Sequence, residues 1–307
     1  MSVEGARATN TTAMEKVSST DFDSGAQLSP EQFEDFMVDV QNQSTVLDMA
    51  RTLTPTAESG DIPRLSVGTR LLQSTSEGNS VSKQGINSPD VPFETTKVSL
   101  PFEQTWETNN EIIDNPEATI RQLFLRQFAN DLEILASVGG TGASGFEAIE
   151  DGWLTLADGG SATDVGHGNA AIDKSIFQNL INAIPQRFKE RQTLVFLGSY
   201  EQKDAYKDYL TDRSTAAGDA MLMTGEEPTP YGYEFMTPLG WPDDRLMLTS
   251  MQNLIYIVQD PLRVKSTDSS ERNVMNDIET IYNMLGKIDY QIMEQAGVAT
   301  ASAIAAP

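Results

Sequence analysis

The chain has no cysteine and a single histidine among its 307 residues. Without cysteine there is no disulfide, no thiol nucleophile and no thiolate metal site. One imidazole, His167, leaves most acid–base and nucleophilic schemes without their usual proton carrier. Positive charge is scarce as well: 21 Lys and Arg stand against 45 Asp and Glu, a formal net charge of −24. No apolar run approaches the roughly 20 residues of a membrane span, so no membrane is expected among the partners. The first residues lack a basic start followed by an apolar stretch, and no signal peptide is expected. Basic patches with interleaved aromatics are missing too, which argues against sequence-specific nucleic-acid binding.

What is present suits a folded chain. Hydrophobic residues make up 39% and charged ones 21%, a globular composition with room for one or two domains. In ordinary salt so much like charge opposes compaction and repels nucleic acid. In molar salt the Debye length falls to about 3 Å and the repulsion largely disappears. The acids are spread along the whole chain rather than gathered in runs, which favours a halophilic origin over an acidic partner-binding protein.

The chain is organised around residues 115–145. Asn115 is placed to cap a helix, Pro116 fits its first position, and Glu117 meets the positive end of its dipole. Ile120, Leu123, Phe124, Phe128, Leu132 and Leu135 recur at three- and four-residue steps and make one broad apolar face. About 22 residues at 1.5 Å each give a rod of roughly 33 Å. Gly139-Gly140-Thr141-Gly142 ends it.

Residues 1–29 are rich in Ser, Thr, Ala and Gly with few large apolar side chains, the composition of a flexible or extended arm. Residues 29–49 read as a helix, with Ser29 as cap, Pro30 first and Gln32 completing a capping box. Alternation predicts strands over 64–71 and 97–107, joined across a polar linker at 74–92. A two-stranded ribbon with so long a linker projects, and it needs a surface to lie on, here expected to be a neighbouring subunit. Pro101 favours a sheet edge. Farther on, Asp151-Gly152-Trp153-Leu154 reads as a turn delivering a tryptophan, and 161–168 as loop. Residues 169–184 read as a helix and 193–197 as a buried strand. A helix over 199–213 opens with a Ser199/Gln202 capping box. Strands follow at 231–236, 245–248, 254–258 and 287–293, and 299–307 reads as a small-residue tail. Helices and strands segregate, so the class is α+β.

Catalytic constellations are lacking. Gly140-Thr141-Gly142-Ala143-Ser144-Gly145 matches the string G-x-G-x-x-G, but the dinucleotide fingerprint needs a strand before it and a helix after it. Here a helix precedes and a loop follows, so no cofactor is expected. His167, between two glycines, reads as an exposed loop residue. The acid pairs Asp243-Asp244 and Glu226-Glu227 read as solvated surface rather than metal ligands.

The order of these parts resembles the major capsid protein of tailed double-stranded-DNA viruses, the Hong Kong 97-type fold. The arm matches residues 1–54 and the extended loop 55–110. The peripheral domain with its spine helix matches 111–168, a mainly axial domain 169–260, and the return to the peripheral domain with the tail 261–307. Phe146-Glu147 through Trp153-Leu154 resembles the segment after the spine. Tyr231-Gly232-Tyr233-Glu234-Phe235, Leu246-Met247-Leu248-Thr249 and Asn253-Leu254-Ile255-Tyr256 resemble its late strands. The resemblance implies a structural protein and no enzyme. It implies a homo-oligomer of pentamers and hexamers in a virion, enclosing double-stranded DNA without reading its sequence. Portal, scaffold or decoration proteins are its implied partners, and assembly is implied in the host cytoplasm. With the acidity, it points to a haloarchaeal virus. Arg64, Arg70, Lys83, Lys97, Phe102 and Trp106, in the extended loop, are the expected intersubunit contacts. An encapsulin-like cellular shell is the alternative, and a halophilic nucleotide-dependent oxidoreductase a more remote one.

Overall fold

A helix of 23 residues, α1 (Pro116–Val138), runs through the centre of the chain, as its apolar spacing predicts. The structure is a computed structural model and describes residues 44, 46–64, 90–105, 116–189, 194–211, 227–267 and 278–306. Phe128, Ala129, Leu132, Leu135 and Ala136 of α1 are buried, while Gln127 and Asp131 bond to each other on the outer side. The proposed cap Asn115 lies outside the described residues, as does most of the helix expected over 29–49. Of the latter, Val46–Ala50 form a turn in which the Ala50 amide donates to the Val46 carbonyl at 3.0 Å.

Strands β1 (Arg51–Leu53), β2 (Ser59–Ile62), β3 (Val91–Glu94) and β4 (Thr96–Thr105) precede α1. After it come α2 (Trp153–Gly159), β5 (Thr163–Ala170), α3 (Lys174–Ala183), β6 (Leu194–Gly198) and α4 (Tyr200–Thr211). The rest is β7 (Glu234–Met236), β8 (Leu246–Ser250), β9 (Leu254–Thr267), β10 (Ile278–Ile292) and β11 (Ala299–Ile304). One sheet has the order β1-β9-β10-β4, a second β5-β11-β8-β6-β7, and β2 and β3 form a separate antiparallel hairpin.

Three elements depart from expectation. The strand at 96–105 pairs with β10, Phe102 opposite Tyr282 and Lys97 opposite Lys287, a partner the alternation did not indicate. Residues 65–71 lie outside the described residues, and Pro92, assigned to the linker, is inside strand β3. The hairpin next to that linker lies on its own chain: Ile62 joins Ile255 and Ile257 in a small apolar cluster. Secondly, 163–170 is a strand and not a loop, its glycines notwithstanding. Thirdly, 299–304 is no tail: β11 sits between β5 and β8, with Ala299, Thr300 and Ala301 buried. Small side chains disguise a central strand here, because neighbours on both sides fill the space that bulk would have taken.

The second sheet lies between two cores. Val195, Leu197 and Met247 join α1 and Trp153 in one core, while Leu194, Phe196, Leu246 and Leu248 join α3 and α4 in the other. Both faces are covered, so β6 and β8 read as continuous apolar runs instead of alternating ones. Phe177 of α3 anchors the second core, edge-on to Phe196 at 4.9 Å and 4.5 Å from Tyr206. α3 starts one turn later than expected, at an N-cap Asp173 whose carboxylate accepts from the amides of Ser175 and Ile176. In α4, Ser199 caps as predicted, accepting from the Gln202 amide at 3.1 Å. The Gln202 side chain does not return to complete the box. It donates to the carbonyls of Asp243 and Ala305, tying α4 to the chain end.

The glycines after α1 are required by a close backbone crossing. The Gly152 amide donates to the Gly139 carbonyl at 2.8 Å. A Cβ at Gly139 would stand 2.3 Å from the Glu150 carbonyl oxygen, and one at Gly152 would stand 2.4 Å from that of Leu135. The crossing delivers Trp153 to full burial, edge-on to Tyr290 at 5.9 Å.

Candidate assembly surface

Residues 287–292 of β10 alternate, and the two faces do different work. Ile288, Tyr290 and Ile292 enter the main core. Lys287, Asp289 and Gln291 face the β2–β3 hairpin. Lys287 pairs with Glu58, just ahead of β2. Asp289, only 2% exposed, accepts from the Glu94 amide at 3.1 Å. Thr95 donates to the Glu58 carbonyl and to Gln259 of β9. The hairpin is therefore held by a polar face whose carboxylate the alternation alone would have placed in water.

Beside it lies an open cavity of about 500 Å³, lined by Asp61, Glu94, Glu150 and Asp289 among others. Burial pushes the Asp289 carboxyl up to about 6, against its bonds to Gln291 and the backbone, and the charge of Glu150 adds to the rise. Burial likewise raises Glu150, helped by the charges of Asp151 and Glu94 and opposed by a hydrogen bond from Thr96. Among the described residues no group of three or more His, Asp or Glu side chains is arranged to hold a metal ion. No helix among them is long and apolar enough to cross a membrane.

The six expected contact residues fall in three groups. Arg64 turns onto its own chain, Nη1 donating to the Met293 carbonyl at 2.9 Å. Lys97 is exposed on β4, at the edge of the first sheet as Pro101 suggested, directly across from Lys287. Phe102 occupies the same strand. Arg70, Lys83 and Trp106 lie outside the described residues. The structure thus brings Lys97 and Phe102 onto one edge strand and keeps Arg64 apart from them.

Other candidates find plainer roles. The string Gly140–Gly145 sits between α1 and a short 3-10 helix, Gly145–Ile149, so the strand-then-helix order of a dinucleotide site is absent there. The amide and hydroxyl of Thr141 both donate to Asp151 and close the loop. His167 is not an exposed loop residue: it lies on β5, its side chain 11% exposed, with Nε2 at 3.0 Å from the Ala171 carbonyl. Glu227 pairs with Lys203 at 2.7 Å. Asp244 offers its carbonyl to the Ile304 amide, and Glu226 lies outside the described residues.

The sequence reading passed over the exposed aromatics. Tyr200 is 63% exposed and Tyr231 54%. Tyr231 also holds a left-handed backbone, φ 54°, next to Gly232 at φ 82°. The strand expected over 231–236 starts only at Glu234, because Tyr231 lies in a turn, Pro230–Gly232, whose left-handed backbone cannot continue a strand.

No family model matches the chain. A putative prophage capsid protein of Bacillus subtilis (strain 168), YqbE, is 27% identical to it over 213 residues, 66% of this chain and 67% of that protein. A chain of the satellite phage P4 procapsid superposes with a TM-score of 0.64 at 14% identity, covering 89% of this chain and 99% of its own. The capsid of the native GTA particle gives 0.65 at 14% identity, over 86% and 91%. The holo-SrpI encapsulin complex from Synechococcus elongatus PCC 7942 gives 0.56 at 10% identity, over 85% and 87%. The fold is the Hong Kong 97-like fold of capsid proteins, in the α+β class. The similarity in sequence is to a protein described as a putative prophage capsid protein.

Proposed function

We propose that this chain is a major capsid protein, a structural subunit and not an enzyme. It assembles as pentamers and hexamers into an icosahedral shell around double-stranded DNA. The observation that carries the reading is a likeness over 89% of this chain and 99% of a procapsid chain. A likeness of that extent takes in the whole architecture rather than one shared module. Identity to a prophage capsid protein supports it.

The division into arm (1–54), extended loop (55–110), peripheral domain (111–168), axial domain (169–260) and returning segment (261–307) belongs to this proposal, with 299–304 joined to the sheet of β5 and β8. So do the contacts. Lys97, exposed on an edge strand, meets acids of a neighbour, with Arg70, Lys83, Phe102 and Trp106 beside it in the same loop. Arg64 anchors the loop's base to Met293. Tyr231 is covered by another copy, which accounts for a large exposed aromatic on a strained backbone. DNA is held without sequence readout, because a chain of net charge −24 repels phosphate rather than binding it. Portal and scaffold or decoration proteins complete the particle, a virion assembled in the host cytoplasm. The acid excess supports a haloarchaeal host.

Electron microscopy of the full chain expressed alone, in molar salt, tests the proposal. Closed shells, or rings of five and six, are expected. Single subunits at high concentration overturn it. A cellular shell is the second reading, supported by the encapsulin likeness. Native particles separate the two: nuclease-protected DNA inside supports the virion, and an enclosed enzyme supports the encapsulin.

A further inference from the structure

Glu133 projects from the inward face of α1 and is only 3% exposed. A carboxylate in that position is costly to desolvate unless donors meet it. Two do, from segments far apart in the sequence. Ser44 Oγ donates to Oε2 at 2.6 Å, and the Leu239 amide donates to Oε1 at 3.0 Å. No ion pair to Glu133 occurs among the described residues.

Each donor belongs to a segment with a task of its own. Ser44 Oγ also accepts from the Leu47 amide at 3.1 Å, setting the turn that buries Val46 and Leu47 against Phe128, Leu132 and Trp241. Leu239 starts the bend between β7 and β8. The following Gly240 has φ +71° and lies so near α1 that a Cβ there would stand 3.1 Å from Ile134 Cγ2. One side chain therefore joins the segment entering the fold, the central helix and the five-stranded sheet.

We infer that Glu133 is a coupling residue, through which the seating of Ser44 with 46–50 and the order of the 237–241 bend reinforce each other. When Ser44 leaves, Oε2 loses its donor in a place water does not reach. The carboxylate gains by swinging outward, and that movement takes the acceptor away from the Leu239 amide. When the bend lifts, Oε1 is orphaned and the same swing releases Ser44. The side chain has two settings, with both bonds made or neither, and so each segment biases the other. The inference concerns contacts within one chain and stands whether or not the chain builds a shell. In a shell, it would pass a shift of the arm to the sheet of β5 and β8.

Amide hydrogen exchange on the full chain tests it. Ser44→Ala removes the donor to Oε2 and leaves both groups of the Leu239–Glu133 bond in place. The expected result is an exchange rate at the Leu239 amide about fivefold or more above the wild type, the lower range of allosteric couplings. Gly240→Ala, which pushes the bend off α1, is expected to raise exchange over 46–50 by a similar factor. In Glu133→Gln the amide group can still accept from Leu239 while the Ser44 hydroxyl accepts from it, so coupling is expected to persist. An S44A effect confined to 46–50, with the Leu239 amide unchanged, would overturn the inference.

Discussion

At Gly139 and Gly152 the backbone itself excludes a side chain. A Cβ at Gly152 meets carbonyl oxygen at 2.4 Å, whereas one at Gly142, in the same cluster, meets nothing within 4 Å. Gly152→Ala should therefore cost about 1–3 kcal/mol or more in a urea titration, as overpacking does, and Gly142→Ala should stay within about 0.5 kcal/mol. Equal effects would show that the cluster serves only to end the helix. Asp289 makes a prediction of opposite sign to the usual carboxylate. Its folded value, about 6, lies above the ordinary aspartate value of 3.8, so the native state holds this proton more tightly than the unfolded chain. The contribution is complete below about pH 4 and is lost as pH rises through 6. Wild type measured against Asp289→Asn should therefore gain stability between pH 7 and pH 5, read as the difference of the two urea midpoints. A difference that stays flat with pH would mean that Asp289 ionises like an exposed acid. The sequence marked this residue only as the polar partner in an alternating strand. Its burial depends on the β2–β3 hairpin, which comes from a distant part of the chain.

Elements with strong local signals were legible. The spacing from Phe128 to Leu135 predicts α1, the run at 194–197 predicts β6, and Ser199 predicts the start of α4. The misses share a cause, since each depends on what a distant segment supplies. Thr163–Ala170 carries Gly166 and Gly168, which speak for a loop, but its parallel partner β11 supplies a ladder. Ala299–Ile304 has little bulk to announce a core strand, yet Ala299 and Ala301 are completely buried. The strand at 96–105 was found but its partner was not, because register with Ile278–Ile292 is a long-range property. If β11 is central, ending the chain at Val298 removes the ladder between β5 and β8 and exposes the core behind Phe196. The truncated chain should lose cooperative thermal unfolding, followed by near-ultraviolet circular dichroism. Retention of a wild-type transition would restore 299–307 to the status of a tail.

Taken as a whole, the molecule couples a self-contained double core to exposed features that its own fold leaves uncovered. The capsid resemblance was legible from the order of arm, ribbon, long helix, glycine turn and late strands, although no single motif specified it. The six expected contact residues were harder to judge, since what covers a surface in an assembly is not written in one chain's periodicity. Tyr231 separates folding from assembly. Gly tolerates φ 54° without the cost that Tyr pays there, so Tyr231→Gly should leave the unassembled chain at least as stable while lowering the yield of particles. Loss of both together would make the tyrosine a folding residue. Salt should act in the same direction on both properties, because screening relieves the repulsion of a chain at −24. The most direct measurement is sedimentation velocity of the full chain in molar salt over a wide range of concentration. A fast boundary of shell-sized or ring-sized particles that grows with concentration is the predicted result. A single slow boundary at 33.6 kDa, unchanged at every concentration, would contradict the capsid account.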